Sequence, residues 1–288
     1  MYSDTIANGA GGLNLSLSRT QDGSNFVDLL VVHRAIHDES TRPDDLNRAV
    51  LDAVPLVRDC NSAEDLGAVL GAQLPQLDFE AILGFGLRGD NRAQVRYILA
   101  RLTAYVQQAM DQENIIERYL AEERAWHIEH LFPDHPDRHP DLTPRQFRAI
   151  RNRIGGLGLL SAPDNTSVRD LPYEKKITWY RRHNALLAVL SPGYQQRNPA
   201  LRKFAQPRLE KLMHDFGSSP SLQEVVETRG RLFHALAQHI WNPEKLGLAI
   251  PNPTQDDKPD APLTGVPQLT CDLVHDRGCW CRSAGFDL

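Results

Sequence analysis

The first half of the chain carries apolar residues at the spacing of amphipathic helices. The clearest stripe begins near Asp90, and its members share one helix face: they are Val95, Ile98, Leu99, Leu102, Tyr105 and Val106. Shorter stripes precede it: Phe26, Leu29, Leu30 and His33, then Leu46, Val50, Val54 and Val57. Asn61–Glu64 supplies a helix start before Leu66. These patterns predict a mainly α-helical first half.

The pattern changes at Trp126, where the segment WHIEHLFP is short, aromatic and β-branched and ends at Pro133. Such residues favour a strand. After a proline-containing loop, Thr143-Pro144 has the form of an N-cap followed by proline, which predicts a helix through Phe147 and Ile150. We further predict a second strand over IGGLGLLSA, a turn over PDNTS and a helix over 171–182. This order is that of a small ββα unit.

Beyond this unit, helices are predicted at about 198–215 and 220–241, and the Pro- and Asp-rich stretch 251–268 is predicted to be a linker. The predicted fold is therefore mainly α with a small ββα unit, an α+β class. The predicted divisions are a helical N-terminal region (1–89), a core that holds the ββα unit (90–195), flanking helices (196–250), and a linker with a Cys-rich tail (251–288).

Composition and charge narrow the class of protein. Hydrophobic residues make up 41% and charged residues 24% of the chain, as in ordinary globular proteins. No apolar run reaches the roughly 18 residues of a membrane span, and the N-terminus lacks the pattern of a secretory signal. A cytoplasmic protein without membrane contact is therefore expected.

The charge is unevenly distributed. Residues 143–211 contain 14 Lys and Arg against 4 Asp and Glu, a local charge of +10 in a chain whose net charge is −5. A basic segment inside an acidic protein is typical of a phosphate-binding face, so DNA is a candidate partner. A solvated helical surface is the alternative.

Glu129-His130, at the end of the first predicted strand, is the most informative pair of polar residues. Phosphodiester hydrolysis needs a group that takes a proton from water and a group that stabilises negative charge on the leaving oxygen. Histidine suits the first task because its pKa lies near neutrality, and a hard divalent cation on oxygen ligands suits the second. Alone, the pair is weak evidence, and it favours two exposed polar side chains over a catalytic site.

The pair is followed by IGGLGLLSAPDNTS and LPYEKKITWY, and together these segments resemble the HNH nuclease domain at the C-terminal end of GmrSD-type modification-dependent restriction enzymes. The family pattern is Ile-Glu-His-Ile-x-Pro, then Gly-Asn-Leu-x-Leu-Leu, then Asn, and finally an aromatic residue, Lys and Tyr. The matching residues are Ile128 to Pro133, Gly155 to Leu160, Asn165, Tyr173, Lys176 and Tyr180.

The resemblance implies a ββα-metal fold and a role for each matching residue. His130 would be the general base, and Glu129 and Asn165 would bind a divalent metal, Mg²⁺ or Mn²⁺. Lys176 would support the fold or contact phosphate, with a surface lysine as the alternative. The alternative for Asn165 is a turn or N-cap residue.

Other side chains near the motif are candidates for support or phosphate contact. These are His127, which shares a strand face with Glu129 if the strand forms, and Tyr180 and Arg151. His135 and His139 lie in an Asp- and Pro-rich loop and are expected to be solvated.

The middle Asn of the family pattern is replaced by Gly156. In HNH sites this Asn is understood to brace the loop that bears the catalytic His, and glycine has no side chain for that bond. Either another group, such as Asn152 or Asp164, takes over, or the domain is a degenerate nuclease that binds nucleic acid or a partner without cleaving. A helical scaffold with neither property is a third hypothesis.

The resemblance also implies a setting in bacterial defence against foreign or modified DNA. GmrSD-like proteins usually include an NTP-binding part with an Asp-Gly-Gln-Gln-Arg type motif, which this sequence lacks. The chain is therefore expected to be a stand-alone nuclease, half of a split system with a separate NTP-binding subunit, or a fragment. Walker-type and Gly-x-Ser-x-Gly motifs are also absent.

The C-terminal tail holds a second constellation of metal-binding residue types, Cys271, His275, Cys279 and Cys281. Four such ligands are sufficient for a Cys₃His zinc site, although the spacing differs from the usual paired knuckle. A reduced tail without metal is the alternative. Cys60 stands apart and is expected to be a small buried residue.

Overall fold

The structure is a computed structural model that describes residues 22–112, 116–121, 125–217 and 219–248. The α-helices of these residues are α1 (22–36), α2 (Pro43–Arg58), α3 (Ala63–Gly71), α4 (Arg92–Ala109), α5 (Ile116–Ala121), α6 (Pro144–Arg151), α7 (Ala162–Val168), α8 (Tyr173–Tyr180), α9 (Ala185–Ala188), α10 (Tyr194–Arg197), α11 (Pro199–Ala205) and α12 (Leu222–Ile240). Short 3₁₀ turns lie at Glu80–Leu83, Pro136–Arg138, Ile154–Gly156 and Glu244–Leu246.

Two strands, β1 (Trp126–His130) and β2 (Leu157–Ser161), form an antiparallel sheet. The register pairs Trp126 with Ser161 at one end and His130 with Leu157 at the other. The predicted class, mainly α-helical with a small two-stranded unit, is therefore confirmed.

Local capping explains why several helices begin where they do. Thr143 and Gln146 form a reciprocal capping box at the start of α6, and Pro144 occupies a first-turn position that needs no N–H donor. Ser62 caps α3 by accepting a hydrogen bond from the backbone of Asp65. These starts agree with the predictions from the sequence.

The long helix α12 organises the part of the core next to the sheet. It packs against α4, α6 and the 3₁₀ turns Glu80–Leu83 and Ile154–Gly156. Its apolar face is buried, and the members of that face include Val225, Val226, Leu232, Phe233 and Leu236. Because the turn Ile154–Gly156 leads directly into β2, α12 fixes the start of that strand.

Two predictions about helical extent were wrong. The PDNTS segment is not a turn, because Ser161 caps a helix there and α7 runs through it. The Pro, Asp, Asn, Thr and Ser of this segment are poor helix formers, so local propensity concealed a helix that the cap and tertiary packing support. The helix predicted over 198–215 was also too long, since α11 ends at Ala205 and turns follow it.

The predicted apolar face of α2 is only partly packed. Val54 is 40% exposed, and Ala53 is the residue of this helix that is buried.

In the described ranges, no helix is long and apolar enough to cross a membrane. These ranges fall in one compact unit that ends at Pro251, and the boundaries at 89/90 and 195/196 remain predictions. The predicted linker and Cys-rich tail lie outside the described residues.

Candidate active site

The end of β1 places Glu129 and His130 beside the start of β2. Glu129 pairs with Gly158 and His130 with Leu157 in the antiparallel register. Just beyond the strand, the backbone N–H of Leu131 donates to the carbonyl of Gly156 at 3.0 Å. Backbone pairing with β2 and with Gly156 therefore fixes the main chain at and just after the Glu-His pair.

Glu129 is a buried carboxylate that already has two partners. Its Oε1 accepts hydrogen bonds from Lys176 Nζ at 2.6 Å and from Tyr180 OH at 2.8 Å, and the exposed fractions of the Glu129 and Lys176 side chains are 3% and 1%. Lys176 Nζ also donates to the carbonyl of His130 at 2.8 Å. Lys176 and Tyr180 therefore join α8 to the end of β1, and Lys176 is not a surface lysine.

Burial and charge act in opposite directions within this cluster. Burial lowers the pKa of Lys176, while the neighbouring Glu129 carboxylate raises it. Burial, followed by the negative charge of Glu129, raises the pKa of Tyr180, so the phenol stays a hydrogen-bond donor. In a low-dielectric interior the carboxylate and the ammonium balance each other's charge, and loss of either leaves the other uncompensated.

The imidazole of His130 contacts Asn152, the C-cap of α6. His130 Nε2 lies 3.0 Å from Asn152 Oδ1. The same oxygen lies 3.5 Å from an Nη atom of Arg151, and a guanidinium nitrogen can only donate a hydrogen bond. The oxygen is therefore the acceptor in both contacts, His130 donates through Nε2, and its Nδ1 carries the free lone pair of the neutral ring.

The protonation of His130 is set mainly by its surroundings. Burial, followed by the positive charge of Arg151, lowers the pKa of His130 to about 4, although the bond to Asn152 opposes this shift. The ring is therefore neutral near pH 7, which is the form that accepts a proton.

Gly156 has no room for the side chain of the family pattern. A Cβ at this position would lie 2.5 Å from the carbonyl oxygen of Arg151 and 3.3 Å from Val226 Cγ2. Of the two groups suggested as substitutes, Asn152 contacts His130, whereas Asp164 accepts a hydrogen bond from Ser161 and lies 3.8 Å from His183. Of the two, Asn152 is therefore the one that contacts the imidazole of His130.

Asn165 and His127 contact each other. The Asn165 amide nitrogen lies 3.3 Å from His127 Nδ1, where α7 packs against β1. Because strand side chains alternate, His127 and Glu129 share one face of β1. Asn165 lies within α7, so it is neither a turn residue nor the cap, which is Ser161.

The remaining candidates near the motif have structural contacts. Arg151 Nε donates to the carbonyl of Phe132 at 2.7 Å. His139, expected to be solvated, is half-buried and stacks on Phe147 with ring centroids 4.9 Å apart. His135 is also half-buried and lies 3.7 Å from Asp137.

Arg229 contributes to the site from a distance and was not predicted from the sequence. It is 1% exposed, and its guanidinium donates to the carbonyls of Gly155, Leu157 and Leu186 at 2.8–2.9 Å. It thereby fixes the backbone on both sides of Gly156. The sequence did contain an indication of it, since Arg229 falls on the apolar face of α12, where a charged residue is unusual.

Oxygen ligands for a hard cation are present but few. Among the described residues, none donates a hydrogen bond to Glu129 Oε2, and the amide oxygen of Asn165 is a second candidate oxygen donor. The described residues contain no cluster of three or more His, Cys, Asp or Glu suited to a metal. Mg²⁺ commonly uses one or two carboxylates with water and substrate phosphate, so Glu129 Oε2 and the amide oxygen of Asn165 are the candidate donors for Mg²⁺ or Mn²⁺.

Two antiparallel strands, with a Glu-His pair closing β1, are followed by α7, so the ββα order that the resemblance implies is present, but its helix is α7 and not the predicted helix over 171–182, which is α8. Residues 79–200, less than half of the chain, match the model of the GmrSD restriction endonucleases, C-terminal domain. The resemblance seen in the motifs is thus confirmed over this range, and it supports a nuclease role in restriction. No curated protein and no solved structure matches the chain.

Proposed function

We propose that this chain is a metal-dependent, HNH-type endonuclease that hydrolyses DNA phosphodiester bonds in the defence of a bacterial cytoplasm against foreign or modified DNA. The observation that carries the proposal is the 3.0 Å contact between His130 and Asn152, beside Glu129, inside a segment that matches a restriction endonuclease domain. The contact supplies an oriented neutral imidazole despite the glycine at position 156.

In this proposal His130 is the general base. Its Nε2–H is held by Asn152, and its Nδ1 takes a proton from the attacking water. A fixed ring matters because small displacements of a reacting group cost rate. Lys176 holds the carbonyl of His130 and the carboxylate of Glu129 at once, so the base and the proposed metal ligand keep a constant spacing.

Glu129, through Oε2, and Asn165 would hold the cation, which when bound supplies charge stabilisation to the scissile phosphate and the leaving oxygen. The pairing of Glu129 with Lys176 reduces the negative charge offered to the cation. We therefore expect weak metal binding that substrate phosphate strengthens.

Exposed basic side chains near His130 favour DNA as the partner. Arg145 and Arg148 are exposed on α6, the helix whose C-cap is Asn152, and Arg148 also lies 3.4 Å from Asp134. A strand whose phosphate lies at His130 would pass these side chains, and each neutralised phosphate adds to the salt dependence of binding. A separate NTP-binding subunit is proposed as the partner that supplies control.

The test is cleavage of plasmid and phage DNA by the purified chain with Mg²⁺, with Mn²⁺ and with EDTA. Metal-dependent cleavage is expected for the wild-type chain and for His135→Ala, a matched control in the adjacent loop, and is expected to be lost in His130→Ala. Salt-sensitive DNA binding with no cleavage, either alone or with a cognate NTP-binding subunit, would instead establish the degenerate binding domain.

A further inference from the structure

A second cavity lies away from the candidate active site. It has a volume of about 550 Å³ and is lined by residues of α4, α11, the segment after α11 and the C-terminal half of α12. Its apolar part includes Tyr105, Phe204 and Leu236, and the Tyr105 and Phe204 ring centroids are 5.9 Å apart. An apolar floor with a few polar groups is typical of small-molecule sites.

The polar side of this cavity is basic. Arg208, His239 and Lys245 line it, and its lining residues include no Asp or Glu. Within the described ranges, no carboxylate forms an ion pair with Arg208 or Lys245. Lys245 Nζ instead lies 2.6 Å from Nδ1 and 2.8 Å from Nε2 of His239. Two cations without a counter-charge favour binding of an anion.

These basic groups lie close enough to affect one another. Burial, then Lys245 and then Arg208, lower the pKa of His239. His239 therefore stays neutral near pH 7 and presents a ring whose centroid lies 5.3 Å from that of Tyr105. The cavity thus combines aromatic rings with two positive charges.

Three side-chain amides, Gln206, Gln238 and Asn242, also line the cavity. Each amide has both a donor and an acceptor, which is the pairing that nucleobase edges present. Aromatic rings, amides and two cations without a carboxylate partner together match a ligand with a flat polar ring and a phosphate. We propose that this cavity binds a nucleotide, either free or at the end of a nucleic-acid strand.

The size of the cavity argues against simpler ligands. Inorganic phosphate would leave most of the 550 Å³ empty and the apolar floor uncovered. A neighbouring cavity of about 250 Å³ shares Tyr105, His239 and Lys245 and adds Arg101, whose guanidinium is already ion-paired with Asp28 at 2.8 Å. This extension gives room for a sugar or a second phosphate, so a nucleotide fits the combined space better than a lone anion.

The proposal is tested by isothermal titration of the full chain with AMP, GMP, CMP and UMP, each alone, and with adenosine and inorganic phosphate. At least one nucleotide is expected to bind with a dissociation constant below about 1 mM, about tenfold or more tighter than adenosine or phosphate. A 5′-phosphorylated dinucleotide distinguishes the two sources: tighter binding than the mononucleotides indicates a strand end, and equal or weaker binding indicates a free nucleotide.

Substitutions of lining residues test whether the nucleotide binds in this cavity. The double variant Arg208→Gln/Lys245→Gln is expected to lower nucleotide affinity about tenfold or more. The matched control Lys203→Gln/Lys211→Gln removes two exposed lysines outside the cavity lining and is expected to leave affinity unchanged. His130→Ala is also expected to bind normally, which separates this inference from the nuclease proposal. Absence of nucleotide binding, phosphate binding as tight as nucleotide binding, or equal losses in the two double variants would overturn the proposal.

Discussion

Asn152 Oδ1 accepts a hydrogen bond from His130 Nε2 at 3.0 Å, and this contact joins the C-terminal end of α6 to the end of β1. The backbone of Asn152 is itself fixed, because its N–H donates to Arg148 O and its carbonyl accepts from Leu87 N at 2.8 Å. A firmly held acceptor can restrain the imidazole without any side chain at position 156.

Asn152→Ala is expected to lower kcat by about 10–100-fold with little change in KM, a range taken by analogy from the loss of hydrogen-bond partners of metal-ligating side chains. The substrate still binds, but the ring loses the acceptor that selects its tautomer. Asn152→Asp keeps an acceptor oxygen and is expected to recover part of kcat. Steady-state cleavage kinetics measure both effects.

Ala149→Ser is the control for that measurement, because Ala149 is an exposed residue on the same helix. Its kinetics are expected to match those of the wild-type chain. If Asn152→Ala also cleaves at the wild-type rate, Asn152 does not position the base.

The elements of the site were largely predictable from the sequence, whereas of its contacts the sequence named only Asn152, as one of two alternatives, and it did not pair Glu129 with Lys176. The Glu-His pair, the second strand and the capped start of α6 depend on local pattern and capping chemistry. The bonds of His130 to Asn152 and of Glu129 to Lys176 join residues far apart in sequence. Local propensity contains no information about such tertiary pairs.

The position of Lys176 nevertheless left a signal in the sequence. It lies on the same helical face as Tyr173, Ile177 and Tyr180, all of which are buried. A lysine on an apolar face must have a buried partner or be neutral. Applied to α8, this rule predicts that Lys176 pairs with a buried carboxylate, although the sequence alone does not identify that carboxylate as Glu129.

Lys176→Met is expected to destabilise the fold by about 3–5 kcal/mol, because it leaves the Glu129 carboxylate buried without its cation. Methionine fills a similar volume, so the effect reports lost charge pairing more than lost packing. Urea unfolding at neutral pH measures the change.

Lys175→Met is the matched control, since Lys175 is the exposed neighbour on the same helix; a change within about 0.5 kcal/mol is expected there. The double variant Glu129→Gln/Lys176→Met removes both charges and is expected to regain part of the loss. Equal effects of the Lys175 and Lys176 substitutions would show that the buried pair is unimportant for stability.

Gly156→Asn restores the residue of the family pattern, yet it is expected to destabilise this chain by about 1–3 kcal/mol or more, as overpacking does. The new Cβ would meet the backbone carbonyl of Arg151, which cannot move without shifting the end of α6. Cleavage is expected to fall rather than rise, because such a shift also moves Asn152.

Thermal unfolding and cleavage assays test this expectation against Gly89→Ala, where no heavy atom lies within 4 Å of the added Cβ. That control is expected to change stability by no more than about 1 kcal/mol. A Gly156→Asn variant that is both stable and more active would show that the glycine impairs the site and that Asn152 does not replace the missing side chain.

Acid is expected to destabilise the fold partly through His33 in α1. This side chain is 6% exposed, and burial, followed by the proximity of His37, lowers its pKa, while Glu39 and Asp78 oppose the shift. A folded-state pKa below the unfolded value of about 6.5 means that the unfolded chain binds the proton more readily. The stability contribution is therefore complete above that pH and is lost as the pH falls below it.

The urea midpoint is accordingly expected to decrease as the pH is lowered from about 7 to about 5. His33→Gln is expected to make this pH dependence shallower, because glutamine binds no proton in either the folded or the unfolded state. The comparison uses the slope of stability against pH, so a constant destabilisation by glutamine does not affect it. His130, whose pKa is lowered to about 4, supplies a further acid-dependent loss in both proteins. An unchanged slope in His33→Gln would show that His33 binds protons equally in the folded and unfolded states.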